Sequence, residues 1–165
     1  MKMEKPRKKG DFMLGLLSAV VLFNAFAFFT NSRLTKSQIL QIWTFTIAFQ
    51  IFVDTYMNQK FHGYWYFDRG IDLKAIPALI VLIPPVNMIF LNRYPFGYPL
   101  LKRIMYVILW AIGITLYEWL AVLPEPWGYF RYGWWKITYS LLVNPLLLYI
   151  VVKFYELVRK FENES

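Results

Sequence analysis

Apolar residues fall in five long runs, at 12–30, 38–57, 73–91, 104–123 and 137–152, separated by polar or turn-rich links. A helix of about 20 residues is about 30 Å long, the thickness of a bilayer's hydrocarbon core. The pattern therefore predicts an all-α, polytopic membrane bundle of five transmembrane helices. The fifth run is the shortest and relies on its Trp and Tyr flanks for length, so four crossings are the alternative. The expected organisation is a basic cytoplasmic arm at 1–11, a helical bundle at 12–152 and an amphipathic, frayed tail at 153–165.

Punctuation sets the expected ends. Lys2, Lys5, Arg7, Lys8 and Lys9 precede the first run as in signal peptides and signal anchors; Ala25-Phe26-Ala27 is an A-x-A-like site, but the run's length favours an uncleaved helix. Ser37 is the expected N-cap of the second helix. Pro84-Pro85 removes two backbone donors and predicts a kink or break in the third. Pro95, Gly97 and Pro99 make a turn, Lys102-Arg103 marks the start of the fourth helix, and Pro124-Glu125-Pro126 stops it. In the tail, Phe154, Leu157, Val158 and Phe161 share a side, and Glu156 is placed to pair with Lys160.

Polar positions inside the runs point to an interior site. Thr46, Gln50, Asp54 and Asn58 recur at every fourth position, which draws a stripe along one helix face. Glu118 lies on a stripe with Ala111, Thr115 and Ala121, while Leu109, Leu116, Leu120 and Leu123 fall elsewhere around the axis. An ionised Glu in such a span costs about 3 kcal/mol on insertion scales, so it should face the bundle with a partner or a proton. Snorkelling to the headgroups is the alternative, since the run ends soon after. Asn87 and Asn144 follow on the third and fifth runs, and the candidate polar intramembrane site is Gln50, Asp54, Asn87, Glu118 and Asn144. Asp54 and Glu118 are expected to converge, with at least one holding its proton unless Arg69, Arg131 or Lys136 intervenes.

Two links are crowded with amphipathic aromatics, His62, Tyr64, Trp65 and Tyr66 in one and Trp127, Tyr129, Trp134 and Trp135 in the other. Such residues favour the membrane interface, so both links are expected on the bilayer surface. Alternating crossings put them on the same side as the N-terminal arm. That side carries ten Lys and Arg against eight on the other, and the dense arm beside the first helix places the N-terminus in the cytoplasm.

Composition agrees: 58% of the 165 residues are hydrophobic and 21% aromatic, above the usual globular share of about 45–50% apolar. The net charge of +8 sits beside apolar runs, which suits anionic lipid headgroups at the basic arm rather than a nucleic acid. With no Cys and one His, thiolate chemistry, disulfides and cysteine-based metal sites are excluded, a zinc-type site is not expected, and neither is any other metal or cofactor. Asp54, Asp68, Asp72, Glu118 and Glu125 fall on the arm side and are of a type that suits Mg²⁺ or Ca²⁺, but acids scattered in a link are ordinarily solvated. No H-E-x-x-H, Walker A or G-x-S-x-G pattern occurs.

A tandem likeness joins two halves: an acid at Asp54 or Glu118, a Gly-Tyr link at Gly63 or Gly128, then a helix with Pro84-Pro85-Val86-Asn87 or Asn144-Pro145. The spacing from link to Asn differs, and shared membrane composition explains the likeness as well as duplication does. At Gly63-Tyr64, Pro85-Val86-Asn87, Phe90-Leu91-Asn92, Tyr117-Glu118-Trp119, Gly128-Tyr129-Phe130, Trp135-Lys136 and Tyr139-Ser140 the chain resembles an uncharacterised family of small multi-spanning membrane proteins of spore-forming Firmicutes. That resemblance implies a bacterial cytoplasmic membrane and no particular reaction. Three functions compete. A non-enzymatic protein that packs against lipid or a partner, as a homo- or hetero-oligomer, is favoured; a carrier or proton-linked permeation unit using Asp54 and Glu118 comes next, and an enzyme on a lipidic substrate last.

Overall fold

A computed structural model of the chain describes residues 13–70, 73–124 and 126–164. The basic arm, Asp72, Glu125 and Ser165 lie outside the described residues. The elements are α1 (Leu14–Phe29), α2 (Lys36–Asp54), a π-helical turn (Thr55–Lys60), β1 (Tyr64–Tyr66), a 3-10 turn (Leu73–Ala75), a π-helical segment (Pro77–Leu82), α3 (Ile83–Arg93), α4 (Leu100–Ala121), β2 (Phe130–Tyr132) and α5 (Ile137–Glu164). The architecture is all-helical apart from two strands of three residues each. Three helical stretches, Leu73–Arg93, Leu100–Ala121 and Ile137–Glu164, are long and apolar enough to cross a membrane, and Leu14–Phe29 is apolar but shorter.

Several ends differ from the sequence expectation for local reasons. Thr35, not Ser37, caps α2, because a capping box needs Gln at the third helical position: Thr35 Oγ1 accepts from the Gln38 N–H and Gln38 Oε1 accepts from the Thr35 N–H, both at 3.2 Å. Helix α4 starts at Leu100, directly after Pro99, so Lys102 and Arg103 lie inside its first turn. The Pro84-Pro85 pair does not break the third helix; the chain passes from π-helical to α-helical turns there and both prolines are fully buried. Pro85 has no N–H for the Val81 carbonyl four residues back, and the Asn24 side chain of α1 donates to it instead at 2.9 Å.

Helix α5 runs through Glu164, and its end is tied by Gln38 Nε2 donating to Glu162 at 2.6 Å. Glu156 pairs with Arg103 at 2.9 Å and Lys153 at 2.7 Å rather than with Lys160, whose partner is Glu164 at 3.8 Å. The apolar tail residues also split: Val158 is buried whereas Leu157 and Phe161 are exposed.

Helix α2 packs along α3 and α5, α1 along α3 and its π-helical segment, and α4 along α5. The α1–α2 turn meets the end of α3, where Asn92 accepts from the N–H groups of Ser32 and Arg33 and donates to the Thr30 carbonyl. Both that turn and the α3–α4 turn therefore lie at the end of the bundle away from the strands. That end is solid, filled by Met88, Phe90, Leu91, Val152 and Tyr155. The strand end is built differently, with Tyr64, Tyr66 and Tyr129 folded in over Leu16, Ala78 and Ala121.

Candidate functional site

The two aromatic links pair with each other. Strand β1 runs antiparallel to β2 with Tyr64 opposite Tyr132, Trp65 opposite Arg131 and Tyr66 opposite Phe130. Alternation along each strand sends aromatic rings of one face inward, and this period of two was the unread signal in Tyr64-x-Tyr66 and Phe130-x-Tyr132. Gly63 anchors the pair, its carbonyl accepting from the Gly133 and Trp135 N–H groups at 2.8 and 3.0 Å. Gly133 has to be glycine, since a Cβ there would strike the His62 carbonyl. His62 and Phe67, which flank β1, both have left-handed backbones, φ 51° and 47°, a cost of about 1–2 kcal/mol each that the strand pairing and buried rings offset. His62 Nδ1 donates to the Asn58 carbonyl at 3.2 Å.

The paired tyrosines reach down to the two acids. Tyr64 donates to Asp54 Oδ1 at 2.6 Å and Tyr132 donates to Glu118 Oε1 at 2.5 Å. Ser140 of α5 also donates to Glu118 Oε1, at 2.6 Å, and is itself held by the Trp135 indole N–H at 2.8 Å. Asp54 and Glu118 are thus each bound by one of two tyrosines that face each other across the strands, and these partners are neutral hydroxyls. Burial, followed by the nearby Asp54 carboxylate, pushes the Tyr64 and Tyr66 hydroxyls well above their ordinary range, with Glu118 adding to it. Both remain protonated donors at physiological pH.

A second repeated pair lies deeper. Asn87 of α3 donates to Thr46 of α2 at 3.0 Å, and Asn144 of α5 donates to Thr115 of α4 at 3.1 Å. Each half of the chain thus has an acid capped by a strand tyrosine and a threonine bound by an asparagine within two residues of a proline. The tandem likeness in the sequence has a geometric counterpart in these paired contacts.

Between the strand pair and the solid end is a half-open chamber of about 710 Å³, open at the exposed Gly113 of α4. Its walls are apolar, from Phe49, Val53, Leu82, Trp110 and Leu147 among others, with Gln50, Asn87, Glu118, Ser140 and Asn144 set into them. Tyr64, Tyr66, Tyr129 and Phe130 form its roof. Four of the five residues expected at an interior site therefore line one space, and Asp54 stands behind Tyr64, 4% exposed. The stripe on α4 is oriented as read, with Ala111, Thr115 and Ala121 buried and Leu109 and Leu116 exposed. Of the interface aromatics, Trp127, Trp134 and His62 are exposed, Trp65 and Trp135 half-buried, and Tyr64, Tyr66 and Tyr129 buried.

Sequence reasoning passed over Tyr132 as a ligand to Glu118, and Tyr117, whose hydroxyl meets that of Tyr129 at 2.9 Å. Among the described residues no cluster of three or more His, Asp or Glu is placed to hold a metal ion. No family model, curated protein or solved structure matches this chain, so its function is argued from its own geometry.

Proposed function

We propose that this is a non-enzymatic, five-crossing protein of a bacterial cytoplasmic membrane that holds one lipid-like small molecule inside its bundle. The observation that carries the reading is the chamber itself. Its volume of about 710 Å³ falls within the roughly 300–1,000 Å³ of ligand sites, and its chemistry, apolar walls with a few convergent polar groups, is that of a ligand site. Interhelical packing accounts for the Asn–Thr pairs but not for an open space beneath them.

The strand pairing and the turns support the five crossings. Because β1 and β2 lie side by side, α3 and α4 between them go out and come back, and the α1–α2 turn stands at the same far end as the α3–α4 turn. Five alternating helices satisfy both relations. The bacterial assignment rests on the family resemblance alone. A carrier is the second reading, favoured by the acid on the chamber wall, and it requires the filled far end to open.

Gly113 lines the chamber and has nothing within 4 Å of where a Cβ would stand. The Gly113→Phe variant is expected to fold and to fill the space. Native mass spectrometry of protein released from nanodiscs made with total bacterial lipid should show one small-molecule adduct on the parent and none on the variant. Equal adducts on both, or none on either, would overturn the reading.

A further inference from the structure

We infer that the solid end of the bundle carries a docking site for the phosphate of an anionic phospholipid, built by Arg33 and Arg159 around Phe96. The site depends neither on the chamber nor on which way round the protein sits in the membrane. Three segments far apart in the chain meet there: the α1–α2 turn brings Arg33, the α3–α4 turn brings Tyr94 and Phe96, and α5 brings Tyr155 and Arg159. The guanidinium carbons of Arg33 and Arg159 stand 5.9 and 5.2 Å from the Phe96 ring centroid. That ring is wedged against Tyr94 and Tyr155, with centroids 4.6 and 5.4 Å away. Both guanidiniums also lie close enough to the Tyr155 hydroxyl to act on it electrostatically.

These two arginines are held in place yet unspent. Arg33 gives one N–H to the Tyr94 carbonyl at 2.7 Å, and a guanidinium over a ring keeps its other donors for an oxyanion. Both are exposed, and among the described residues neither forms an ion pair. Arg103 differs, since it is committed to the Tyr94 hydroxyl at 3.1 Å and to Glu156 at 2.9 Å. Glu162 also acts on the Tyr155 hydroxyl, but it is bound by Gln38 at 2.6 Å. Two like charges gathered on one ring repel, and an anion shared by them removes that cost. Depth selects the anion. Arg33 stands just past the first apolar run and Phe96 just past the third, in the headgroup layer that flanks the hydrocarbon core. On α5, Leu157 and Phe161 are exposed on the face away from Arg159, as a segment lying against lipid requires. Phosphate is the anion anchored at that depth, and guanidinium forks match its oxygens two at a time. This end of the protein carries eight Lys and Arg against Glu156, Glu162 and Glu164, which favours a lipid of net negative charge over a zwitterionic one.

The test uses the full-length, delipidated protein in detergent, with dioleoyl phosphatidylglycerol and dioleoyl phosphatidylcholine as probes of matched chain and native mass spectrometry as the readout. Phosphatidylglycerol is expected to bind at least about tenfold tighter, the size of one charge-assisted contact. Arg33→Gln with Arg159→Gln should abolish that preference. Arg93→Gln with Lys102→Gln removes as much charge from the same end, but from over Phe26 and Tyr98, and should leave the preference within about twofold. Equal losses in the two pairs would assign binding to diffuse charge and overturn the site, as would a parent that does not distinguish the lipids. If the first pair fails to fold, Arg159→Lys decides alone: it keeps the charge, removes the fork and should weaken binding about threefold, and unchanged affinity would overturn the site. Excess inorganic phosphate should leave the lipid bound; its displacement would show that the arginines read a free anion and would overturn the lipid assignment.

Discussion

Tyr64 and Tyr132 face each other across the two-stranded sheet, and each donates its hydroxyl proton to an acid on a different helix, Asp54 on α2 and Glu118 on α4. A three-residue ladder is too short to persist alone in water. Here it is clamped from below by two short hydroxyl–carboxyl contacts and from the side by ring contacts such as Tyr64 tilted against Phe130, centroids 4.9 Å apart. The sheet and the acids hold one another.

Removing either hydroxyl tests this clamp. Tyr64→Phe leaves the buried Asp54 without that donor and should cost about 1.5–3 kcal/mol, whereas Tyr132→Phe leaves Glu118 still bound to Ser140 and should cost nearer 1 kcal/mol. Thermal unfolding in a single detergent, followed by circular dichroism, ranks the two. A larger loss for Tyr132→Phe would mean that Ser140 contributes little and that the clamp is wrongly assigned.

Asn24 of α1 donates to the Val81 carbonyl that Pro85 cannot serve. Asn24→Leu should therefore destabilise by about 1–2 kcal/mol. On a Pro85→Ala background, position 85 regains an N–H for Val81, and the same substitution should cost at least about 0.5 kcal/mol less. A double-mutant cycle measures the coupling, and additive losses would assign Asn24 some other role.

Much of the helical framework was legible because lipid-length apolar runs and their proline and glycine links are coarse signals. The face of α4 was legible too, since Ala111, Thr115, Glu118 and Ala121 recur at helical spacing among large aliphatics. What escaped was the strand pair. Its two halves are 66 positions apart, as Tyr64 and Phe130 stand, each is only three residues long, and aromatics in a membrane protein's links are equally well explained by the interface. Capping was misplaced at Ser37 because the reciprocal Gln38 contact distinguishes Thr35 only when the pair is read together. Glu156 offered two partners by spacing, and tertiary contact with Arg103 decided against Lys160.

The buried phenols make stability pH-dependent on the alkaline side. Burial first, then the Asp54 carboxylate, holds the Tyr66 hydroxyl well above 10.0, and burial first, then Tyr117, does the same for Tyr129. A tyrosine ionises near pH 10 when unfolded, so the stability these groups contribute is fully present below that pH and is lost as the pH rises beyond it. Denaturant melts at pH 9, 10 and 11 should show the parent losing stability more steeply than Tyr66→Phe, by up to about 1.4 kcal/mol per pH unit. Equal slopes would show that Tyr66 ionises as freely folded as unfolded.

The topology prediction joins the strand pair to the membrane. The chain has no Cys, so single cysteines at Gln59, Tyr98 and Asn163 can be labelled in cells without background. Five crossings with the strand end in the cytoplasm expect an impermeant maleimide to reach Tyr98→Cys and Asn163→Cys but not Gln59→Cys. Labelling at Tyr98→Cys without Asn163→Cys would indicate four crossings, and labelling at Gln59→Cys alone would invert the protein. In the same background, Trp65→Cys with Arg131→Cys places two thiols at facing positions of β1 and β2, and mild oxidation should close an intramolecular disulfide there. Facing Cβ atoms in an antiparallel pair are about 4.5–5.5 Å apart, close enough for a bridge with a small adjustment. Shifting one partner to Gly70→Cys removes that proximity and should abolish the crosslink. If Trp65→Cys fails to link to Arg131→Cys while both sites are shielded from the maleimide, the two links share a side without pairing, and the strand pair is lost as the roof of the cavity.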